Sequence, residues 1–554
     1  MKKTFNKYLL ILSIVFSSVF TLAFVDNYFE ISKNLDVFAT LFRELNIHYV
    51  DEIDPGDLIK TGIDAMLEKL DPYTTYIPES KMEDYRIMTT GQYGGIGAVI
   101  QQQGDYVVIT EPYENYGAFK AGLIAGDKII EIDGKDVKGY TSSDVRELLL
   151  GQPGTSVKIK VERYGEETPI VKEVIRSKVK INDVPYYGMV NDHVGYILLT
   201  GFTETASAEF KKAVLDLKSQ GAQKIIFDLR GNGGGLLREA VNIVNVFVPK
   251  GQEIVSTRGK IVERNNINIA LNNPVDTAIP VVVLIDGNSA SASEIVSGAL
   301  QDLDRAVVMG TPSFGKGLVQ EARPLTYGAK LKLTIAKYYI PSGRCIQKLD
   351  YAHKNKDGKA STVPDSLIKE FKTLKYKRPV FDGKGITPDI KIEKDDLSDI
   401  AISLITKNLI FDYATIFKHK NLTIPPIEEF TITDEVYKDF INFLSDKDYS
   451  YKTESEELIE KFEETAKKEK YLDDVKEEYI ALKEKVFHNK KEDLIKFKDE
   501  IKMLLENEII GRYYYQKGQI KATLKHDKLL KEAIKVAEDS STYNSILKGT
   551  YKQN

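Results

Sequence analysis

Between about Val184 and Pro388, short apolar runs alternate with longer stretches in which apolar residues recur every three or four positions. Runs such as KIIFD and PVVVLI have the length and β-branched content of buried strands, whereas ASAEFKKAVLDLKSQ and LREAVNIVNVF have helical spacing. Strands that alternate with helices are typical of a sheet with helices packed on its faces. The pattern therefore predicts an α/β domain over about 179–395.

The flanking regions have different patterns. Residues 26–90 show helical spacing, and 91–178 show short strands separated by glycines, including an Asp133-Gly134 turn. From 396 to 554 the chain is highly charged, with apolar residues at helical spacing. We expect a multidomain α/β protein with a helical N-terminal region, a small β-rich domain, the α/β domain and a helical C-terminal region.

The first 25 residues have the character of a targeting segment. Lys2, Lys3 and Lys7 precede an uncharged run of 18 residues, Tyr8–Val25. Such a run is long for a signal peptide and short for a membrane span, and it is too uniformly apolar for an amphipathic core helix. We interpret 1–25 as a signal peptide or membrane anchor, which implies a periplasmic protein or one anchored facing the periplasm.

The composition of the chain argues against several classes of partner and site. The 554-residue chain has a formal net charge of −5 and no long basic tract, which argues against a nucleic-acid partner. Cys345 is the only cysteine, so a disulfide framework and a cysteine-based metal site are excluded. The six histidines are scattered. We expect no metal and no organic cofactor.

The segment SASASE, residues 289–294, follows the predicted strand PVVVLI and precedes an apolar helix. Ser291 and Glu294 fit the N-cap and N3 positions of a capping box, so the segment could be purely structural. The same placement suits a nucleophile, because a helix N-terminus offers free N–H groups and positive potential to a developing oxyanion. His193 is the one histidine that could serve as its base. Lys316, between two glycines, is the other candidate, provided that burial keeps its amine neutral.

The lysine segment also resembles a phosphate-binding loop, because Gly310 to Lys316 reads G-x-x-x-x-G-K. Gly317 occupies the position where that loop needs a serine or threonine for magnesium, and strand-like sequence follows where a helix should begin. Nucleotide binding is therefore disfavoured.

Four segments in order resemble the carboxyl-terminal processing peptidases, also called tail-specific proteases. They are GGIG with AGLIAGDKIIEIDG, which resembles the PDZ domain of that family, then DLRGNGGGLL, SASASE and FGKGLVQ. The resemblance covers about residues 35–389. It implies a PDZ domain at 91–178 and a serine-protease core at 179–395, and leaves the C-terminal helical region without an assigned role.

The resemblance also implies roles for individual residues. Ser291 is the expected nucleophile, Lys316 its base and Gln320 the residue that holds the lysine amine. The oxyanion hole is expected to use the N–H groups of Ala292 and Gly234, with Gly235 as the other candidate for the second donor.

The GGIG loop is the expected site for substrate tails. PDZ domains add an extended peptide as a strand and receive its terminal carboxylate on converging backbone N–H groups. Gly94, Gly95, Ile96 and Gly97 are the residues placed to do this, although the glycines could instead form only a β-turn.

The expected function is that of an exported serine endopeptidase that cleaves proteins near their C-termini, with substrates that carry free C-termini. The alternative is a catalytically inactive PDZ scaffold held at the membrane. The physiological substrate and the oligomeric state do not follow from the sequence.

Overall fold

The computed structural model describes residues 28–356, 358–393, 395–487 and 490–551. The apolar run Tyr8–Val25 lies outside these ranges. The chain divides into two compact units: one contains the N-terminal residues up to Pro78 together with Ala322–Leu333, and the other contains Glu79–Glu321 and Thr334 onward.

The described part of the first unit contains two helices and a short antiparallel ladder. Residues 28–48 are helical (α1), and α2 spans Pro55–Glu68, with the Asp54 side chain accepting the N–H groups of its first turn. Strand β1 (Thr75–Ile77) pairs with residues Lys330–Lys332.

The second unit begins with helix α3 (Met82–Thr90) and continues into the PDZ region. The elements of this region are β2 (Gln92–Gly95), β3 (Ala98–Gln103), β4 (Tyr106–Pro112), α4 (Gly117–Lys120), β5 (Lys128–Ile132), β6 (Lys135–Asp136), α5 (Ser142–Leu149), β7 (Ser156–Glu162), β8 (Ile170–Ile175) and β9 (Ser177–Lys180). The main sheet has the order β3-β4-β5-β7-β8, so β3 is an edge strand, and β2 pairs with β9.

The α/β domain follows, built from the alternation that the sequence predicts. Its elements are β10 (Tyr186–Met189), β11 (Val194–Leu198), α6 (Ala206–Ser219), β12 (Lys224–Asp228), α7 (Leu237–Val244), β13 (Glu253–Gly259), β14 (Asn266–Ile269), β15 (Val281–Ile285), α8 (Ala292–Asp302), β16 (Val307–Gly310), β17 (Leu318–Pro324), β18 (Lys330–Tyr339), β19 (Leu349–Lys354), β20 (Ala360–Thr362), β21 (Glu370–Lys372), β22 (Pro379–Phe381) and β23 (Ile390–Lys391).

A six-stranded sheet, in the order β10-β11-β12-β15-β16-β23, forms the centre of this domain. Strands β11, β12, β15, β16 and β23 run parallel, so their carboxyl ends lie at one edge. Because ligands of parallel α/β sheets bind beyond the carboxyl ends of the strands, that edge is where a site is expected.

The rest of the chain is helical: α9 (Asp399–Thr406), α10 (Leu409–Lys420), α11 (Asp434–Phe443), α12 (Glu454–Glu469), α13 (Lys476–Val486), α14 (Lys490–Lys496), α15 (Lys498–His526), α16 (Lys528–Glu538) and α17 (Ser540–Leu547). We call α9–α15 the helical region. Its apolar core includes Ile400, Tyr413, Phe440 and Ile501. The predicted architecture is thus confirmed.

The last two helices belong to a different layer. Apolar residues of α16 and α17, such as Leu530 and Ile546, pack against one face of the six-stranded sheet, while α6, α7 and α8 cover the other. Helices α16 and α17 therefore form part of the α/β domain.

Across the described ranges, no single helix is both long and apolar enough to cross a membrane, although the bent pair α9–α10 would pass on length and composition.

Candidate active site

Ser291 lies at the start of α8, just beyond the carboxyl end of β15, and is half-buried. It is the N-cap of that helix and Glu294 is its N3 residue, as the capping pattern predicts. The backbone of Ser291 has φ 55° and ψ −111°. A positive φ is strained for a residue with a Cβ, and such strain is concentrated at functional sites where the surrounding contacts enforce it.

Glu294 is the main contact that enforces the local geometry. Its side chain is buried, and one carboxylate oxygen, Oε2, accepts the N–H groups of Ser291 at 2.8 Å and of Lys316 at 2.9 Å. The other oxygen accepts the hydroxyl of Ser313 at 2.6 Å and the N–H of Gly315 at 2.7 Å. A single carboxylate therefore connects the nucleophile candidate to the lysine segment.

Burial raises the pKa of Glu294 to about 7, although the four hydrogen bonds that its carboxylate accepts oppose the shift. A carboxylate that receives four donors is held in place by charge-assisted hydrogen bonds, which are stronger than neutral ones. The sequence indicated Glu294 only as a capping residue, and its role in joining two segments was not predicted.

The glycines beside Lys316 are required by a neighbouring segment. A side chain on Gly315 (φ +90°) would place its Cβ 2.4 Å from the Cβ of Lys348, and one on Gly317 would place its Cβ 2.9 Å from the backbone N of Gln347. Gln347 accepts the Gly317 N–H through its side-chain oxygen, and Lys348 donates its N–H to the Gly315 carbonyl. These contacts fix the loop that carries Lys316, whose side chain is half-buried.

Tyr338, on β18, makes a second connection. Its hydroxyl lies 3.1 Å from the carbonyl oxygen of Ser291 and also contacts the carbonyl oxygen of Lys316. No motif in the sequence marks this residue as part of a site. Its only signal is a place in an alternating strand, which does not indicate which loop the side chain reaches.

Gln320 lies on β17, on the strand that leaves the lysine loop. Its side-chain amide donates to the hydroxyl of Thr334 at 3.1 Å. This bond fixes the position of the Gln320 side chain, and its predicted role in holding the Lys316 amine remains a prediction.

The glycine-rich segment after β12 packs against the start of α8. Asn232 is buried, and its carbonyl oxygen accepts the N–H of Ala290 at 3.0 Å and the hydroxyl of Ser293 at 2.8 Å. The hydroxyl of Ser289 donates to the Leu229 carbonyl at 2.8 Å. The two serines that flank Ser291 therefore bind the glycine segment.

Gly234 lies closest to the serine. A Cβ on this residue (φ +98°) would meet the backbone N of Ala292 and the Cβ of Ser291, each at 2.9 Å. The N–H of Gly234 donates to the Asn232 side-chain oxygen at 2.9 Å. This hydrogen bond to Asn232 must break before the Gly234 N–H can donate to an oxyanion. Ala292 occupies the first position of α8, where helix N–H groups lack an intrahelical acceptor.

The structure disfavours the other candidate groups: His193 as the base, Cys345 as a reactive thiol, a phosphate-binding loop at Lys316 and a metal site. His193 is exposed and precedes β11, whereas Ser291 follows β15, so the two residues are at opposite edges of the parallel sheet. Burial raises the pKa of the Cys345 thiol, which disfavours the reactive thiolate. Strand β17 follows Lys316, where a phosphate-binding loop would need a helix. Among the described residues, no cluster of three or more His, Cys, Asp or Glu could hold a metal ion.

The predicted tail site lies at the start of the PDZ edge strand. Ile96 and Gly97 connect β2 to β3, and Gly97 has φ +73°. Their carbonyl oxygens accept N–H groups from Ala118 and Tyr113, whereas their own N–H groups have no backbone partner among the described residues. Gly94 and Gly95 instead lie in β2, where a Cβ on Gly94 would come within 2.2 Å of the Gly151 carbonyl oxygen.

A sheet with the site beyond its parallel strands, a serine at a helix N-terminus and an adjoining PDZ region together define a serine-type peptidase. Comparisons with known proteins agree. Residues 193–352 match the sequence profile of peptidase family S41, residues 108–163 match a PDZ domain, and residues 400–537 match the probable PDZ-protease C-terminal helical domain.

The chain is 36% identical, over 352 residues, to the carboxy-terminal-processing protease of Bartonella bacilliformis, an alignment that covers 62% of this chain and 77% of the relative. A probable CtpA-like serine protease of Staphylococcus aureus is 35% identical over 317 residues, covering 57% and 63% of the two chains. The chain belongs to the carboxy-terminal-processing protease family.

Among solved structures, the photosystem II D1 C-terminal processing protease is 27% identical with a TM-score of 0.35, covering 64% of this chain and 92% of that one. The PDZ domain of a carboxy-terminal protease from Vibrio cholerae, solved in complex with a peptide, is 32% identical with a TM-score of 0.16. It covers 16% of this chain and 99% of that domain.

Proposed function

We propose that this protein is an exported serine endopeptidase that cleaves substrates near their C-termini, using Ser291 as nucleophile and Lys316 as general base. The observation that carries the proposal is the shared carboxylate: the backbone N–H groups of both residues donate to the same oxygen of Glu294, at 2.8 and 2.9 Å. The two side chains therefore start from adjoining backbone positions at the edge of the sheet where ligands bind.

In the proposed reaction, the neutral amine of Lys316 accepts the Ser291 hydroxyl proton while the serine oxygen attacks the scissile carbonyl carbon. The N–H of Ala292, together with that of Gly234 or Gly235, stabilises the negative oxygen of the tetrahedral intermediate. Lys316 then returns the proton to the leaving amine, and the acyl group stays on Ser291. A water molecule gives a proton to Lys316 and attacks the ester carbonyl carbon. Lys316 then gives that proton to the departing Ser291 oxygen, which releases the new C-terminus and restores both the serine hydroxyl and the neutral amine.

The PDZ region is proposed to select substrates by their tails. The N–H groups of Ile96 and Gly97 are available to receive a carboxylate, and the free edge of β3 continues from them as a template for an added strand. Helix α5 packs beside β3 and would form the other wall of the groove. Gly94 and Gly95 support the loop by allowing close packing.

Export is proposed from the lysines and apolar run at the N-terminus. The lysines would stay in the cytoplasm and the enzyme would face the periplasm, either released or anchored. Fractionation of cells that express the full chain tests this point: proteolytic activity that stays in the cytoplasmic fraction contradicts it.

The experiment that tests the enzymatic proposal compares one peptide as its free acid and as its C-terminal amide. We expect the full chain to cleave an internal bond of the acid, to cleave the amide more slowly because one charge is lost, and Ser291→Ala to cleave neither. Cleavage by Ser291→Ala would contradict the assignment of Ser291 as nucleophile. Equal cleavage rates for the acid and the amide would contradict recognition of the substrate tail by the PDZ region. A wild-type chain that binds the peptide without cutting it would favour the inactive scaffold.

A further inference from the structure

Arg230 anchors the start of the glycine segment, Gly231–Gly235. It lies two residues beyond the carboxyl end of β12, and its backbone N–H donates to the Asp228 carboxylate at 2.9 Å. Its Nε donates to the same carboxylate at 3.0 Å. Asp228 is buried and also accepts the hydroxyl of Tyr196 at 2.7 Å. Asp228 therefore holds both the backbone and the guanidinium of Arg230 against the end of the strand.

A second carboxylate reaches Arg230 from the far end of the chain. Asp527 lies at the start of α16, 297 residues later, and its Oδ2 forms an ion pair with the Nη2 of Arg230. The Oδ1 of Asp527 accepts the N–H of Leu530 at 2.9 Å, which caps α16. Leu530 packs in the same apolar cluster as Ile226 of β12. The Asp527 carboxylate thus fixes its own helix with one oxygen and Arg230 with the other.

The two carboxylates hold the guanidinium in a largely buried position. The side chain of Arg230 is 25% exposed, that of Asp527 is 9% exposed and that of Asp228 is 2% exposed. Burial alone would lower the pKa of Arg230, but the charges of Asp228 and Asp527 outweigh it and raise the pKa. A planar guanidinium donates in fixed directions, so binding two carboxylates at once defines its position more narrowly than binding one.

The turn that carries Arg230 leads directly to an expected oxyanion donor. The N–H of Asn232 donates to the Leu229 carbonyl at 3.2 Å, which closes a turn around Arg230. The side-chain oxygen of Asn232 accepts the N–H of Gly234 at 2.9 Å, and Gly234 lies against the backbone N of Ala292. A displacement of the Arg230 turn is therefore passed through Asn232 to Gly234.

We propose that Asp527 is a positioning residue for the oxyanion hole: its ion pair with Arg230 holds the glycine segment where a glycine N–H and the Ala292 N–H can bind one oxygen atom. The proposal rests on the proposed function, since it uses the same nucleophile and the same hole donors. An oxyanion hole stabilises the transition state only when its donors converge on the position of the negative oxygen. Loss of the ion pair therefore acts on the transition state rather than on binding of the substrate tail.

The test uses the full chain carrying Asp527→Ser. Serine is a preferred N-cap residue, so α16 keeps its cap while the oxygen that binds Arg230 is lost. We expect kcat for a free-acid peptide to fall about tenfold, the lower end of the range for a hydrogen bond to a charged group, because this one is partly exposed to solvent. Tail affinity, measured with Ser291→Ala added to prevent cleavage, should be unchanged.

A peptide boronic acid separates positioning from general stability. Its boron bonds to the Ser291 oxygen and forms a tetrahedral adduct that resembles the transition state and places an oxygen in the hole. We expect Asp527→Ser to weaken its binding by about the same factor as kcat. Asp539→Ser is the matched control, because Asp539 caps α17 on the same face of the sheet and bonds to Ser541 and Thr542 of its own helix. The control should leave kcat and boronic acid affinity unchanged.

A second pair of variants tests whether Asp527 acts through Arg230. Arg230→Lys keeps a positive charge beside Asp228 but loses the planar group that binds two carboxylates. We expect Arg230→Lys to lower kcat, and Asp527→Ser to have little further effect in that background. Losses in kcat that multiply in the double variant would overturn the proposed path, because independent sites have additive free energies.

The remaining outcomes are distinct. Normal kcat and boronic acid affinity in Asp527→Ser would overturn the proposal even if its thermal unfolding midpoint were lower, because a purely structural ion pair affects stability alone. A lower kcat without weaker boronic acid binding would also overturn it, since the defect would then lie outside the hole. Failure of the proposed function would be recognised separately, because wild type would bind the boronic acid no better than Ser291→Ala does.

Discussion

Replacing Glu294 with glutamine keeps the size of the side chain but turns one of its two acceptor oxygens into an NH₂ group. The carboxylate receives two donors on each oxygen: the N–H groups of Ser291 and Lys316 on one, and the Ser313 hydroxyl and Gly315 N–H on the other. Whichever way the glutamine amide is oriented, its NH₂ group therefore faces two of these four donors, which lose their acceptor.

The size of the effect follows from this count. A buried polar group left without its partner costs about 1–3 kcal/mol, so two such groups cost roughly 2–6 kcal/mol. If that energy is relieved by displacement of the lysine loop, the fraction of molecules with the loop in place falls by about thirtyfold to more than ten-thousandfold. We expect kcat to fall by a similar factor, because the loop carries the base.

The assay is steady-state cleavage of a free-acid peptide, together with its affinity for the PDZ groove. Glu294→Gln should lower kcat and leave the affinity of the peptide tail unchanged. Glu239→Gln is the matched control, since Glu239 is also buried and accepts the N–H of Ser207 at 3.0 Å, at a helix remote in sequence from the lysine loop. A Glu294→Gln enzyme with nearly normal kcat would refute the reasoning that this carboxylate positions the two catalytic segments.

Two further predictions concern the same site. Tyr338→Phe removes a hydroxyl that contacts the carbonyls of Ser291 and Lys316. We expect kcat to fall about two- to tenfold, which is the range for one net hydrogen bond, whereas the control Tyr339→Phe should have little effect. Equal activities of the two variants would contradict this role of Tyr338. Since burial raises the pKa of Glu294 from 4.5 to about 7, the folded state binds more protons in that interval, and the contribution of Glu294 to the free energy of unfolding declines as pH rises through it. We expect kcat to fall as pH is lowered through about 7, because protonation of Glu294 turns one of its acceptor oxygens into a donor. A kcat that is flat from about pH 8 to 5.5 would contradict this role of Glu294.

The parts of the site that the sequence could predict are those with a local pattern. A buried strand followed by SASASE defines an N-cap at Ser291 and an N3 position at Glu294, and both are confirmed. The alternation of strands and helices likewise predicted a sheet with helices packed on its faces, and the six-stranded sheet between two helical layers confirms it.

The parts that could not be predicted depend on contacts between distant segments. Nothing in the spacing around Tyr338 indicates that its hydroxyl reaches the carbonyls of Ser291 and Lys316. Helices α16 and α17 have the same amphipathic spacing as the rest of the helical C-terminus, yet they cover the protease sheet. Amphipathic spacing shows that a helix buries one face, but it does not identify the surface against which that face packs.

The most direct test of the central claim is single-turnover cleavage of a free-acid peptide by Lys316→Arg, with Lys316→Ala and the wild-type enzyme measured beside it. Arginine is a long side chain with N–H donors like lysine, but its guanidinium does not lose a proton near neutral pH, so it cannot accept the Ser291 proton. We expect Lys316→Arg to bind the peptide tail normally and to form no acyl-enzyme above the level of Lys316→Ala. Acylation of Ser291 at a near-normal rate in Lys316→Arg would contradict the assignment of this lysine as the general base.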